Sequence, residues 1–159
     1  MTTIMASSKL KPNQIQCAIR GEWVTITPEE RIRQQLLLLM IKDLGYPKGW
    51  LCVEQPLANL PHLLSKRGKV PRRRADIICY APGISQSDSL YPLLLVECKA
   101  VALTAKTQRQ LIGYNHYVGA PFICLANEEG IYTGWLNETH QYQFVPGLPP
   151  YRDLYTGQE

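Results

Sequence analysis

The sequence predicts a mixed α/β fold, one central sheet flanked by helices, on three observations. The elements run helix, three strands, helix, then two or three strands. Two of the strands, Ala75 to Ala81 and Leu93 to Ala100, are apolar on both alternating faces: Ile77 and Cys79 against Ile78, Leu94 and Val96 against Leu93 and Leu95. Strands of that kind belong in the middle of a sheet with both faces covered. Finally, both helices carry start and stop signals that can be read residue by residue.

In order, residues 1–15 are polar and aperiodic, and read as a flexible N-terminal tail ahead of a single domain over 16–159. Gln16 to Ile26 alternates enough for a short strand or a hairpin around Gly21. Thr27-Pro28-Glu29-Glu30 then starts a helix, with a threonine cap, proline at the first helical position and acids in the first turn. That helix runs to about Leu44 and stops at Gly45, with Pro47 beyond. Ile32, Leu36, Leu39 and Met40 form its apolar stripe, widened by Leu37, Ile41 and Leu44. Trp50 to Leu57 reads as a strand ended by Pro56, and a long loop follows it. Pro82 to Pro92, polar with Gly83 and serines, links the two apolar strands. Thr104 caps a second helix, Ala105 to Val118, which Gly119 and Pro121 end. Phe122 to Ala126 and Ile131 to Leu136 are strands joined by a turn with Asn127 and Gly130. A last short strand near Tyr142 to Val145 precedes a proline-rich tail.

Composition excludes several classes. With 45% hydrophobic and 19% charged residues the chain is not of the disordered type. Its longest apolar run, Leu36 to Ile41, is too short for a bilayer, and Met1 to Lys11 lacks the apolar core of a secretory signal. The expectation is a cytoplasmic protein with no membrane partner. Cys17, Cys52, Cys79, Cys98 and Cys124 are an odd set without a CxxC pair, and read as free thiols rather than a zinc site. His62, His116 and His140 are scattered and form no ligand motif. The net charge is +4, but Lys66, Arg67, Lys69, Arg72, Arg73 and Arg74 fall within nine residues. That basic segment either binds a polyanion or is a solvated loop.

The chemistry concentrates on the apolar strands. Paired as a hairpin in a symmetric register, they set Tyr80 opposite Leu93 and Asp76 opposite Glu97. Opposed carboxylates on adjacent strands repel and lose solvation, and persist by sharing a proton or holding a cation. Lys99 lies two residues past Glu97, on the same face by strand periodicity. Hard oxygen ligands select Mg²⁺ or Mn²⁺, and Asp76 and Glu97 would hold the ion with the backbone carbonyl of Cys98. Such a site suits phosphodiester hydrolysis, with Lys99 orienting the attacking water and countering transition-state charge.

Five ordered strings carry a family resemblance: Pro28-Glu29-Glu30-Arg31-Ile32-Arg33-Gln34, Gly45-Tyr46-Pro47-Lys48, Arg73-Arg74-Ala75-Asp76-Ile77, Val96-Glu97-Cys98-Lys99-Ala100 and Gln110-Leu111-Ile112-Gly113-Tyr114-Asn115. Spread over about residues 16–152, they resemble the N-terminal nuclease domain of type I restriction enzyme R subunits, and most closely its small stand-alone bacterial forms. The resemblance implies a PD-(D/E)XK core, with Asp76, Glu97 and Lys99 at the motif positions. It also implies an acid from the first helix, Glu29 or Glu30 with a slight preference for Glu29, and a glutamine near the site, Gln110. Ala75 stands where the motif's first letter is proline. The implied activity is a Mg²⁺-dependent DNA endonuclease of restriction-modification type, and the alternative is a non-cleaving nucleic-acid-binding or assembly module on the same fold. No helicase-like motor follows within the 159 residues, so a separate motor or restriction-complex subunit is expected, or independent action. Cutting both strands with one site per chain calls for a homodimer.

Overall fold

A computed structural model describes residues 13–66, 69–83 and 90–156. Its elements are β1 (Gln14–Gln16), β2 (Trp23–Thr25), α1 (Pro28–Lys42), β3 (Leu51–Pro56), β4 (Arg74–Pro82), β5 (Leu90–Cys98), α2 (Ala105–Val118), β6 (Phe122–Ala126), β7 (Ile131–Leu136), β8 (Tyr142–Pro146) and α3 (Tyr151–Thr156). Strands β3 to β8 form one six-stranded sheet in chain order, while β1 and β2 pair as a separate hairpin. All neighbours in the large sheet are antiparallel except β5 and β6, which run parallel across the α2 crossover. The predicted mixed α/β architecture with apolar central strands is therefore what the chain adopts.

The helix signals act as read. Thr27 accepts a hydrogen bond from Glu30 N at 3.1 Å, with Pro28 opening α1. Thr104 and Thr107 form a reciprocal capping box at the start of α2, and Gly119 closes it in a left-handed conformation at φ 75°. The two helices cover opposite faces of the sheet. Ile32, Leu36, Leu37 and Met40 of α1 pack with Ile77, Cys79, Leu94 and Val96. On the far side Leu111 and Val118 of α2 pack with Ile78, Leu95, Ile123 and Leu125. Each such side chain, fully removed from water, contributes about 1.5–3 kcal/mol before the entropy cost of ordering it. None of the five cysteines is in a disulfide, and only Cys52 is more than marginally accessible.

Several boundaries differ from the sequence reading. The predicted tail over 1–15 overlaps β1, which begins at Gln14, while residues 1–12 lie outside the described residues. The register Ile77↔Val96 and Cys79↔Leu94 is the symmetric one, but it shifts between Cys79 and Tyr80, so that Tyr80 faces Pro92 rather than Leu93. Pro92 has no N–H to give the ladder, and a bulge is how a strand accommodates that. The linker is also shorter than predicted, because β4 extends to Pro82 and β5 starts at Leu90; residues 84–89 lie outside the described residues. The proline-rich tail contains α3. It is pinned by Tyr46, whose hydroxyl donates to Pro149 O at 2.8 Å, and by Tyr151 N donating to Leu44 O at 2.9 Å.

Candidate functional site

Asp76 and Glu97 sit near the ends of the two central strands. They follow directly on Ile77↔Val96, the last pair of the β4–β5 ladder at this end. Their surroundings nevertheless diverge, because strand alternation breaks at Asp76. Ala75 packs in the cluster under α2 and Ile77 in the cluster under α1, although the two are only one residue apart. Asp76 turns toward α1 and Glu97 toward the α2 side. In this structure each carboxylate is held by cationic side chains of its own.

Around Asp76 the contacts are internal. Arg33 of α1 donates through Nη2 to Asp76 Oδ1 at 2.6 Å, and Cys98 N donates to Asp76 Oδ2 at 2.8 Å. Through Nη1 the same guanidinium donates to Glu54 Oε1 at 3.0 Å and to Glu30 Oε2. Three carboxylates thus converge on one arginine whose side chain is 6% exposed. Burial opposes its charge, yet the Asp76 hydrogen bond and the charges of Asp76, Glu30 and Glu54 outweigh it and hold the Arg33 pKa above its ordinary value. Among the described residues Arg33 Nε is buried without a hydrogen-bond partner. Gln34 ties the cluster to the N-terminal hairpin, donating to Glu30 Oε1 at 2.8 Å and accepting from Ala18 N at 2.8 Å. Glu54, on β3, has a backbone φ of 50°, a strained value for a non-glycine residue.

Around Glu97 the contacts come from mobile-length side chains nearer solvent. Arg73 Nη2 lies 2.6 Å and Lys99 Nζ 3.1 Å from Glu97 Oε1. Arg73 also stacks over the Tyr114 ring of α2 at 4.0 Å, which adds a cation–π contact. Lys69, Arg72 and Arg74 are exposed, and a groove of about 640 Å³ runs between Pro56, Val70 and Arg72 to Arg74. Arg67 lies outside the described residues, and of Lys66 only the backbone is described.

The structure thus brings Asp76, Glu97, Lys99 and Glu30 to one end of the central strands. Glu29 is exposed while Glu30 is buried in the cluster, which corrects the preference for Glu29. Gln110 is exposed on α2 one turn before Tyr114, and among the described residues none of the bonds above reaches it. Burial, reinforced by the Asp76 charge, pushes the Cys98 thiol up, so Cys98 serves the site through its backbone. Among the described residues no group of three or more His, Cys, Asp or Glu is arranged to hold a metal ion. Arg33 explains this at Asp76, since it stands where Glu30, Glu54 and Asp76 meet. Sequence reasoning missed Arg33, Gln34, Glu54 and Tyr114 as members of the site. A signal existed for Arg33: it lies in the row of Leu36, Leu37 and Met40 and is a charge on an otherwise buried helix face. Glu54 gave no signal, because its role depends on a backbone turn that strand patterning does not encode.

No helix among the described residues is long and apolar enough to cross a membrane. No curated protein and no solved structure matches the chain. Residues 28–149, which include every acidic and basic group of the site and all of the six-stranded sheet, match the family model described as type I restriction enzyme R protein N terminus (HSDR_N), and the chain belongs to that family.

Proposed function

We propose that the chain is a metal-dependent DNA endonuclease with a PD-(D/E)XK core. The observation that carries this reading is Arg73, which leaves the basic segment to bond the Glu97 carboxylate beside Lys99. A segment suited to phosphates and the candidate ligands thereby share a side chain. Membership of the R-protein family supports a place in a restriction system, with DNA as substrate and a motor subunit, a restriction-complex subunit or a second copy as partner.

The donor set fits a hard divalent ion. Asp76 and Glu97 offer only carboxylate oxygens, already oriented toward cationic nitrogens. With the Cys98 carbonyl they would hold Mg²⁺ or Mn²⁺, which supplies Lewis acidity and a more acidic bound water. The chain's own residues do the rest. Lys99, whose Nζ lies 3.1 Å from Glu97 Oε1, would donate to a phosphate oxygen or orient the attacking water. Arg73 exchanges its Glu97 partner for a backbone phosphate, while Arg72 and Arg74 along the groove bind neighbouring phosphates without reading sequence. The test is incubation with plasmid, linear and single-stranded DNA in Mg²⁺ or Mn²⁺, beside Lys99→Ala. Cleavage by the natural protein and its loss in the variant are expected; equal cleavage by both would refute the assignment.

One observation favours a second reading, a non-cleaving DNA-binding or assembly module. Each of Glu30, Glu54, Asp76 and Glu97 is already ion-paired with Arg33, Arg73 or Lys99. DNA retained at low salt with no cleavage under any metal would select it.

A further inference from the structure

The six-stranded sheet ends in two edges, β3 and β8, and an open edge is a template for another strand. The β3 edge is guarded. Its ladder to β4 skips Glu54, where the backbone turns to a φ of 50°, and Pro56 ends the strand. Arg20, from the loop between β1 and β2, also reaches across to the Glu54 carboxylate at 3.4 Å. The β8 edge has none of these devices. From Gln141 to Tyr151 the chain carries no charged residue, and among the described residues β7 is the one sheet neighbour of β8.

The register tells which groups face outward. Asn137 N donates to Gln141 O at 2.8 Å, and Gly147 N donates to Ile131 O at 2.7 Å. An antiparallel ladder bonds alternate residues, so Gln141, Gln143, Val145 and Gly147 bond inward to β7. Tyr142 and Phe144 therefore turn their N–H and C=O groups outward, where no strand among the described residues meets them. Side chains leave these groups uncovered. The Phe144 ring leans back over Gly134, where a Cβ would come within 2.8 Å of it. Asn115 Nδ2 donates to the Tyr142 hydroxyl at 3.0 Å, and both aromatic rings pack against the cluster under α2.

We propose that β8 is the edge through which two copies of this chain associate, pairing their β8 strands antiparallel about a two-fold axis at Gln143. In that register Tyr142 and Phe144 of each copy exchange N–H···O=C bonds with Phe144 and Tyr142 of the other. Each copy gives two donors, and every outward N–H of the strand is used, since Pro146 has none. Charge favours a second copy as the occupant. A two-fold sets each residue against or near its own counterpart, so any charge on this edge would meet its like, and β8 has none. On the face away from α2 the exposed Gln143 meets Gln143, an uncharged pair.

A five-residue edge lies at the low end of interface size, so the dimer is weak and half-formed at about 10–100 µM. It joins two sheets into one, with both α2 helices on the same side. The two β5 strands are then seven strand spacings apart, about 34 Å, and present one Glu97 site each on a common surface. The pairing is read from molecular mass and does not rest on the nuclease reading.

Sedimentation equilibrium of the full chain, without DNA or added metal, tests it from about 1 to 500 µM. The natural protein should pass from monomer to dimer over that range. Gln143→Lys and Gln143→Glu each bring like charges together where the strands approach most closely, with Cα atoms about 4.5 Å apart. Each variant should stay monomeric with an unchanged melting temperature, because Gln143 is exposed. An equimolar mixture of the two variants should dimerise at least as well as the natural protein. A natural protein that remains monomeric throughout would overturn the proposal. So would single variants that dimerise as well as the natural protein, or a mixture that stays monomeric. Lys99-dependent cleavage by a monomeric protein removes the dimer and leaves the nuclease reading, while a dimer that cleaves nothing does the reverse.

Discussion

Arg33 and Arg73 bond the two neighbouring carboxylates of one strand pair at the same 2.6 Å, yet they are different devices. The Arg33 side chain is 6% exposed and serves three carboxylates; the Arg73 side chain is 38% exposed, serves one, and rests on an aromatic ring. Depth makes the difference. In the interior an ion pair is costly to assemble and costlier to break, because the partner left behind has no water to turn to. Glu97 is itself buried, but Arg73 is half in water and Lys99 stays on the same Glu97 oxygen, so Arg73 can leave without stranding a charge. One half of the cluster is therefore scaffold, and the other half is the one that the proposed DNA-binding reading assigns to a phosphate.

The sharpest way to break this comparison is to remove each arginine in turn. Arg33→Met should cost about 3–5 kcal/mol in denaturant unfolding, since three buried or half-buried carboxylates lose their counter-charge. A loss below about 1 kcal/mol would show that the inner cluster is as solvated as the outer pair.

Alkaline titration probes the interior from another side. Burial pushes the Cys79 and Cys124 thiols, ordinarily at 9.0, up to about 12, and the Tyr80 hydroxyl, ordinarily at 10.0, also to about 12. These groups have raised folded-state values, so their stabilising effect is complete below pH 9 and is lost as pH rises toward 12. In that window the unfolded chain ionises first, and each thiol should lower stability by roughly 1.4 kcal/mol per pH unit. Arg33 stays charged throughout, its pKa being raised further, so it adds nothing to this loss. Flat stability from pH 9 to 11 would contradict the dry sheet centre.

The smallest effect on stability belongs to Arg73. Arg73→Ala should cost about 1 kcal/mol or less. Its effect should appear instead in DNA binding, where losing one phosphate contact makes the log–log salt dependence shallower by about 0.9. An unchanged salt slope would place Arg73 with Arg33, as scaffold.

Much of this fold was legible because its signals are local. Thr27-Pro28, Thr104 and Gly119 bound the helices through backbone geometry that neighbours in sequence determine. The core strands announced themselves by being apolar on both faces, and their register followed up to Cys79. What escaped depends on distant partners. Pro92 shifted the register because it could not donate to β4, and α3 was hidden by the prolines that precede it. That Asp76, Glu97 and Lys99 lie at one end of the central strands was readable from strand spacing. The counter-ions were not, because Arg33 and Glu54 are 21 residues apart in sequence and meet only through the packing of α1 on β3.

That same cluster bears on how the chain reaches its native pairing. Glu30 and Arg33 already pair within α1, but Glu54, Asp76 and the Cys98 amide come from three strands, so the cluster is complete only when α1, β3, β4 and β5 are assembled together. A one-residue slip of β4 along β5 would move Asp76 away from both Arg33 and Cys98 and leave a buried cation unanswered. The apolar residues of these strands would tolerate that slip far better than the charges do. The inner cluster thus works as a proofreading device for strand registry, and its amides should be among the last to gain protection from hydrogen exchange during refolding.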